Sequence, residues 1–216
     1  MKRDIEAVIF DADGTILDTR ELRVQAVRHV LSEHGYEMPP LDELKKYGGK
    51  TALETYGTFA PQHDSRELVQ KHFNFQLTHL DLFEAYKGLH DLLATLKEHG
   101  LKIGMCTNRG ANIIDLLDHL GIKEQFDGVV HFDLMTNEKP HPEGYLKLCE
   151  ELGINPERTV MVGDTEADIG AGKAAGAAFT IGITHGSGSR EMLEQEGADY
   201  VVDHLDEIVP LVTRHG

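Results

Sequence analysis

The chain has 216 residues, of which 40% are hydrophobic and 27% charged. This length suits one α/β domain with an insertion, and the composition excludes disordered, fibrous and low-complexity proteins. The 37 acidic residues outnumber the 21 basic ones and give a formal net charge of -16. Because such a field repels phosphate backbones and anionic lipid, we expect neither a nucleic acid nor a membrane as a partner.

Cysteine usage and the absence of long apolar runs bear on location. Cys106 and Cys149 have no CxxC or Cys/His spacing, which argues against a disulfide framework and a structural zinc. No apolar run approaches the roughly 18 residues of a membrane span, and the opening residues lack a secretory hydrophobic region. We therefore expect a cytoplasmic protein, and the sequence leaves its oligomeric state open.

The first part of the chain changes from a strand pattern to a helical one. Residues 5–10 (IEAVIF) are short and mostly apolar, typical of a strand covered on both faces, and the polar cluster 11–15 ends it. From about residue 18 to 86 the strand pattern disappears, which predicts a small all-helical insertion. Apolar residues recur there at helical spacing in two runs: Val24, Val27 and Leu31, then Val69, Phe73, Leu77 and Leu80.

After Gly88 the strand and helix patterns alternate. The predicted helices cover 89–96, 113–120 and 145–152, with a further one from Thr165, and the predicted strands cover 102–106, 128–132, 159–162 and 178–183. Such alternation predicts βαβ units and a parallel sheet with right-handed crossovers. We expect an open α/β sandwich formed by residues 1–16 and 87–216, with residues 17–86 as an inserted helical domain.

Polar residues follow three of the predicted strands directly. In open parallel sheets, ligands bind beyond the carboxyl ends of the strands, so these residues should meet at one edge. A lysine, Lys139, precedes Pro140 in a further loop. The three polar segments are Asp11-Ala12-Asp13-Gly14-Thr15, Thr107-Asn108-Arg109 and Gly163-Asp164-Thr165-Glu166-Ala167-Asp168.

These segments resemble the motifs of a known superfamily. DADGTILDT at 11–19, CTN at 106–108, KP at 139–140 and GDTEAD at 163–168 are similar, in order and spacing, to the four motifs of haloacid dehalogenase-like hydrolases. Details such as TNR, KPHPEGY and GITHGSGS look most like the phosphoglycolate phosphatase branch. The resemblance runs through the whole chain and implies a Rossmann-like parallel sheet sandwiched by helices, with a helical cap inserted after the first motif.

The resemblance also implies chemical roles. A carboxylate that approaches a phosphate dianion at roughly 4 Å is repelled by about 4 kcal/mol per unit-charge pair at an effective dielectric of about 20, so the site needs cations. Asp11 would be the nucleophile and Asp13 the acid and later the base, while Lys139 neutralises charge. Mg²⁺ would be bound by the Asp11 carboxylate, the Asp13 backbone carbonyl and Asp164, and Asp168 would support the metal site or Lys139. Thr107 and Asn108 would hydrogen-bond the phosphoryl oxygens, and Lys50 in the cap would contact the substrate.

Each candidate residue also has a purely structural interpretation. Asp11 could end a strand as a turn or helix-cap residue, and Asp168 could be a charged residue on a helix face. Thr107 and Asn108 could cap the following helix, although a cap also presents that helix's N-terminus to phosphate. For Lys50 the alternative is a solvated surface lysine.

The function expected from these residues is a magnesium-dependent phosphatase that acts on a small phosphorylated metabolite through an aspartyl-phosphate, with phosphoglycolate as a candidate. Three alternatives stay open: a phosphosugar mutase of the β-phosphoglucomutase kind, an inorganic pyrophosphatase, and a non-catalytic phosphate-binding regulatory module. Asp13 argues against dehalogenation, because a departing halide needs no proton. The TNR segment argues against the mutase.

Overall fold

The structure, a computed structural model, describes residues 4–47 and 50–213. The chain divides into two compact units. One, here called the sheet unit, comprises Met1–Asp18 and Ala85–Gly216, and the other, the helical unit, comprises Thr19–Glu84. Within the described ranges, no helix has both the length and the apolar character needed to cross a membrane.

Residues 4–47 and 50–213 form eight strands and ten α-helices. The strands are β1 Ala7–Phe10, β2 Leu17–Asp18, β3 Glu84–Ala85, β4 Lys102–Cys106, β5 Gly128–Val130, β6 Thr159–Gly163, β7 Phe179–Ile183 and β8 Tyr200–Val202. The helices are α1 Arg20–Glu33, α2 Leu41–Lys46, α3 Ala52–Phe59, α4 Ser65–Thr78, α5 Leu89–Glu98, α6 Ile113–His119, α7 Glu143–Leu152, α8 Glu166–Ala175, α9 Arg190–Gln195 and α10 Ile208–Thr213. Short 3₁₀ turns cover Leu80–Leu82, Lys123–Gln125, Phe132–Leu134, Pro156–Arg158 and Leu205–Glu207.

Six of the strands form one parallel sheet in the order β5-β4-β1-β6-β7-β8. β1 lies at the centre, where Phe10 pairs with Met105 of β4 on one side and with Val162 of β6 on the other. The carboxyl ends of β1, β4 and β6 therefore lie side by side, at the point where the strand order reverses, and such a point is where open α/β sheets bind ligands. The predicted α/β fold, a parallel sheet flanked by helices, is confirmed.

Burial on both faces of the sheet explains the apolar strand sequences. All four residues of β1 are buried, and its alternate residues Ala7 and Ile9 pack in one cluster with Tyr145 and Leu148 of α7. Because successive side chains of a strand point to opposite faces, Val8 and Phe10 lie on the other face. A strand covered in this way reads as a continuous apolar run, which is the pattern that the sequence shows.

The helical unit has its own core, formed by α1, α2, α3 and α4. Val27, Val30 and Leu31 of α1 are buried there with Tyr56 of α3 and Leu68 of α4. The apolar residues 69, 73 and 77 lie within α4, as their spacing predicts, but they do not mark its buried face.

The buried face of α4 is shifted by one residue from the apolar run. His72 and Gln76 are buried with Leu68, whereas Leu77 is 37% exposed. The polar side chains are tolerated because they are hydrogen-bonded: a ring nitrogen of His72 contacts the Tyr56 hydroxyl at 3.0 Å and the other contacts the Gln76 amide at 2.9 Å.

Candidate active site

Four acidic or basic side chains predicted from three motifs meet at the carboxyl edge of the sheet. Asp11 directly follows β1, Asp164 directly follows β6, and Asp168 lies in the first turn of α8. Lys139 comes from the loop before α7. All four are buried, at 6%, 0%, 1% and 5% exposure for Asp11, Asp164, Asp168 and Lys139 respectively. The parallel sheet thus brings together residues that are up to 157 positions apart (168 − 11) in the sequence.

Lys139 forms the centre of this group. Its Nζ donates to Oδ1 of Asp11 and to Oδ1 of Asp168, each at 2.6 Å, and to the carbonyl oxygen of Cys106 at 2.9 Å. An ammonium group has three N–H donors, so all three are used inside the protein. In the described part of the chain, Oδ2 of Asp11 accepts no hydrogen bond, which leaves this oxygen available to a ligand.

Asp168 is fixed by a second set of contacts at the start of α8. Its Oδ2 accepts from the backbone N–H of Thr165 at 3.0 Å and from the Thr165 hydroxyl at 2.6 Å. This is the reciprocal arrangement of a capping box, in which the residue at the third helical position holds the N-cap residue. Asp168 therefore both caps α8 and orients Lys139, and each of its oxygens has a partner.

Asp164 lies in a cradle made by two loops. Oδ1 accepts from the hydroxyl of Thr15 at 3.1 Å, and Oδ2 accepts from the backbone N–H of Ser187 at 2.6 Å. Gly14 has φ of 79°, a left-handed conformation that favours glycine, and a Cβ there would collide with the Asp164 carboxylate. A Cβ at Gly186 would collide with the same carboxylate and with the carbonyl oxygen of Gly14.

Burial changes the proton affinities of these groups. Desolvation raises the pKa of Asp11 to about 7, against the lowering effect of Lys139 and with further raising from Asp168 and Asp13. Desolvation and the nearby Asp168 and Asp11 raise the pKa of Asp164 to about 8. Burial alone would lower the pKa of Lys139, but the carboxylates of Asp11 and Asp168 raise it above its ordinary value. Lys139 is therefore charged, and one lysine is too little to keep the carboxyls of Asp11 and Asp164 ionised at low pH.

The donor set fits a hard divalent cation. One carboxylate oxygen from each of Asp11, Asp164 and Asp168 lies within 4.8 Å of the others. Oxygen ligands and a surplus of negative charge in a buried site are what Mg²⁺ requires. Asp168 is already ion-paired with Lys139 at one oxygen and holds Thr165 with the other. Oδ2 of Asp11 is open, and the oxygens of Asp164 accept from only a hydroxyl and a backbone N–H, so Asp11 and Asp164 are the carboxylates better placed to coordinate.

Asp13 is held by an arginine that the sequence motif left without a role. Nε of Arg109 donates to Oδ2 of Asp13 at 2.8 Å and Nη2 donates to Oδ1 at 2.7 Å, a bidentate ion pair. The Arg109 side chain is 5% exposed and that of Asp13 is 31% exposed. The predicted acid/base residue is therefore accessible and is oriented by the loop that follows β4.

Thr107 and Asn108 lie on that same loop, but they differ in what their side chains can do. The Thr107 hydroxyl oxygen accepts from the backbone N–H of Arg109 at 3.1 Å, which leaves its own proton to donate. The Asn108 amide is occupied: its nitrogen donates to the carbonyl of Lys139 at 3.2 Å and its oxygen accepts from the Lys139 N–H at 2.9 Å. The Asn108 side chain therefore ties down the lysine loop, and the hydrogen bond from Asn108 to a phosphoryl oxygen stays a prediction.

Lys50 belongs to the helical unit and is exposed there. Its Nζ lies 4.0 Å from Oε1 of Glu54, one helical turn away in sequence, and both side chains are more than half exposed (58% and 54%). Such a pair contributes little to stability, so Lys50 is free to rearrange. Its predicted contact with substrate stays a prediction.

Several residues that shape the site were missed from the sequence. Thr15, Arg109 and Ser187 each hold one of the predicted carboxylates, and Gly186 gives Asp164 room. A usable signal existed for the last two, because the glycine-rich segment 182–188 directly follows strand β7, at the same edge as the other motifs. Arg109 was placed at this edge by its position after a predicted strand, but the spacing does not indicate which group it binds.

Comparison with known proteins is consistent with this geometry. The profile of the family described as haloacid dehalogenase-like hydrolase matches residues 8–181. The chain is 31% identical to the "Pyrophosphatase PpaX" of Bacillus mycoides over 97% of this chain and 98% of that protein. Among solved structures it is similar to a β-phosphoglucomutase from Clostridium difficile (26% identity, TM-score 0.80, 98% and 96% of the two chains). It also shares its fold with a "predicted phosphoglycolate phosphatase" from Haemophilus somnus (20% identity, TM-score 0.85, 96% and 98%).

Proposed function

This chain belongs to the haloacid dehalogenase-like hydrolase family, and we propose that it is a magnesium-dependent phosphatase that hydrolyses a small phosphomonoester through a phosphorylated Asp11. One observation carries the proposal. The buried Asp11 has one carboxylate oxygen held by Lys139 and the other without a described partner, and it lies beside Asp164, with which it would hold a divalent cation. A nucleophile that is held at one oxygen and open at the other is ready for attack on phosphorus.

In the first half-reaction, Oδ2 of Asp11 attacks the phosphorus atom and the bond from phosphorus to the ester oxygen breaks. Asp13 donates a proton to that oxygen, so the product leaves as a neutral alcohol and the phosphoryl group remains on Asp11 as a mixed anhydride. Lys139 keeps the other Asp11 oxygen fixed and offsets one negative charge as the dianion approaches.

In the second half-reaction, a water molecule attacks the same phosphorus atom. Asp13, now a carboxylate, takes a proton from that water, and the bond between phosphorus and Asp11 breaks. Inorganic phosphate leaves and Asp11 regains its free carboxylate, so each residue returns to its starting state. The alternation of Asp13 between acid and base explains why the cycle needs a second carboxylate close to the nucleophile.

Asp11 and Asp164 would hold the magnesium ion by their carboxylates and Asp13 by its backbone carbonyl, with Asp168 behind them. The bound cation would supply positive charge that reduces the repulsion between Asp11 and the phosphate dianion. Thr107 would donate its hydroxyl proton to a phosphoryl oxygen, and Asn108 would contribute through its backbone N–H, since its side chain is tied to the lysine loop.

The substrate has two candidates of different chemistry. A small phosphomonoester, with phosphoglycolate as one example, follows from the motifs of the branch that the sequence resembles. Inorganic pyrophosphate is the second candidate, because the Bacillus mycoides relative named a pyrophosphatase is 31% identical over nearly the full length of both chains. Both substrates present a phosphoryl dianion to Asp11 and differ in the leaving group, so the Asp11 chemistry is common to the two.

A phosphate-release screen with Mg²⁺ tests the proposal. The panel should contain 2-phosphoglycolate, hexose phosphates, other small esters and inorganic pyrophosphate. Asp11→Asn should abolish release while keeping the circular dichroism spectrum, and Asp118→Asn, an exposed carboxyl that pairs with Lys123, is the matched control. Release from pyrophosphate alone would favour the second candidate. Isomerisation of a hexose phosphate without phosphate release would favour a mutase, and phosphate binding without any turnover would overturn the proposal.

A further inference from the structure

We propose that Arg109 binds the phosphoryl group of the substrate, and that it gives up its ion pair with Asp13 to do so. The inference rests on the proposed function and adds to it a phosphate-binding residue outside the metal cluster. In this scheme the arrival of a phosphoryl dianion and the release of Asp13 are one exchange of partners on the same guanidinium group.

Lys139 has no donor left for the substrate. Its three N–H groups point to Asp11, Asp168 and the carbonyl of Cys106. Lys139 therefore contributes charge to a bound phosphoryl group, but a direct hydrogen bond would require breaking one of these buried contacts. The donors that bind phosphoryl oxygens must come from other groups at this edge of the sheet.

Arg109 is a cation in the right loop to supply them. It lies two residues after Thr107, and its backbone N–H donates to the Thr107 hydroxyl, so the two side chains belong to one short turn after β4. Its guanidinium contacts Asp13, the residue that must reach the ester oxygen of a phosphoryl group on Asp11. Because Asp13 protonates an oxygen bonded to the phosphorus atom, a guanidinium that contacts Asp13 also lies close to the phosphoryl oxygens.

The ion pair between Arg109 and Asp13 prevents Asp13 from transferring a proton to the leaving group. Each of its two oxygens accepts an N–H from Arg109, at 2.8 Å and 2.7 Å. To act as the acid, Asp13 must first take up a proton from solvent, and the protonated oxygen must then turn to the leaving group instead of the guanidinium. The ion pair between Arg109 and Asp13 therefore has to open before catalysis.

A phosphoryl group is the ligand that can open it. The planar fork of an arginine binds a carboxylate and a phosphate through the same bidentate geometry. A phosphoryl dianion carries twice the charge of the Asp13 carboxylate, so it competes effectively for the guanidinium. Transfer of Arg109 to the phosphoryl oxygens removes both of these hydrogen bonds from Asp13, and it does so only when a substrate is present.

A structure of the full chain with Mg²⁺ and tungstate, an anion that cannot be transferred, tests the exchange directly. We expect Nε or Nη2 of Arg109 on a tungstate oxygen and at least one oxygen of Asp13 detached from the arginine. A tungstate-bound structure in which both Arg109 to Asp13 contacts persist would overturn the inference. This measurement needs no substitution, so it does not depend on a variant that folds.

Calorimetric titration with inorganic phosphate gives a second test. Arg109→Gln should weaken phosphate binding about 10- to 100-fold, which is the usual effect of losing a charged hydrogen bond. Arg109→Lys should recover part of the loss, because the charge returns without the fork. Arg158→Gln, which removes an exposed arginine paired with Glu6, is the control and should leave binding within about two-fold. Phosphate affinity equal to wild type in a folded Arg109→Gln protein would refute the role of Arg109.

The outcomes for the two proposals are separate. A protein that hydrolyses no ester or pyrophosphate but exchanges Arg109 onto tungstate would refute the proposed function and keep this inference. A protein that hydrolyses esters through Asp11 while the Arg109 to Asp13 pair stays closed around tungstate would do the reverse.

Discussion

Replacement of Lys139 by methionine removes the charge at the centre of the site and keeps most of the side-chain volume. The Lys139 side chain is 3% exposed, and its Nζ lies 2.6 Å from both Asp11 and Asp168. Loss of one partner from a buried ion pair typically costs 3–5 kcal/mol of unfolding free energy, because the other charge remains buried; we expect a loss of about that size at pH 8.

The loss should depend on pH in a defined direction. Lys139 lowers the pKa of Asp11, so its removal moves that pKa upward from the value of about 7. A carboxyl with a raised pKa in the folded state binds its proton more tightly there than in the unfolded chain, where it titrates near about 4. Stability from such a group is present at low pH and is lost as the pH rises through the folded-state pKa. The variant should therefore be closer to wild type at pH 5 than at pH 8.

Activity should fall further than stability alone explains. One unit charge at about 4 Å and an effective dielectric of about 20 is worth about 4 kcal/mol, which corresponds to about a thousand-fold in kcat at about 1.4 kcal/mol per decade. Urea unfolding at the two pH values and hydrolysis of 4-nitrophenyl phosphate measure the two effects. Lys147→Met, which removes an ammonium bonded to the carbonyl of Leu134, is the control. Equal destabilisation at both pH values, or a kcat within ten-fold of wild type, would refute the reasoning.

Three further predictions concern the metal cluster and its support. Gly186→Ala should weaken Mg²⁺ binding about ten-fold or more in calorimetric titration, because the new methyl group displaces the Asp164 carboxylate. Apparent Mg²⁺ affinity should rise with pH by up to about ten-fold per pH unit for each carboxyl that loses a proton, and thermal shift at pH 6, 7 and 8 measures it. The reason is that burial raises the pKa of Asp11 to about 7 and of Asp164 to about 8. Asn108→Ala should lower kcat about 10- to 100-fold, because the loop that carries Lys139 loses both side-chain ties, and steady-state kinetics with circular dichroism as a fold check measures this.

Each of these predictions has an outcome that contradicts it. Gly57→Ala in α3, where a Cβ makes only ordinary contact with Ser65, is the control for the glycine substitution. Equal Mg²⁺ affinity in the two variants would contradict the claim that Gly186 leaves space for the Asp164 carboxylate. A Mg²⁺ affinity that does not change with pH would mean that no carboxyl of the cluster loses a proton when Mg²⁺ binds. An unchanged kcat for Asn108→Ala would show that the tie to the lysine loop is dispensable.

The sequence predicts the framework of the site well because topology does most of the placement. Once β1, β4 and β6 are recognised as parallel strands, Asp11 and Asp164 must share the edge where those strands end. Strand registers need not be known for this, since the polar residues come directly after the apolar runs. The same reasoning explains why the fold class could be predicted from alternation alone.

Side-chain partners could not be predicted in this way. Asn108 and Arg109 follow the same strand, yet the Asn108 amide bonds a backbone segment 31 positions away and Arg109 bonds Asp13, 96 positions away. Such choices depend on rotamers and loop paths, which periodicity does not encode. The buried face of α4 was predicted wrongly for a related reason. Hydrogen bonds to Tyr56 and Gln76 stabilise the buried His72, and hydropathy does not show such bonds.

Acid-quench peptide mapping of the reacting enzyme tests the central claim most directly. The protein is mixed with Mg²⁺ and a turned-over phosphoryl substrate, quenched in acid within the first turnovers, digested and analysed by mass spectrometry. The account predicts a phosphoryl group on the peptide that contains Asp11, labile to hydroxylamine, and absent from Asp11→Asn. Turnover in which no peptide carries a phosphoryl group, or in which another residue carries it, would contradict the account.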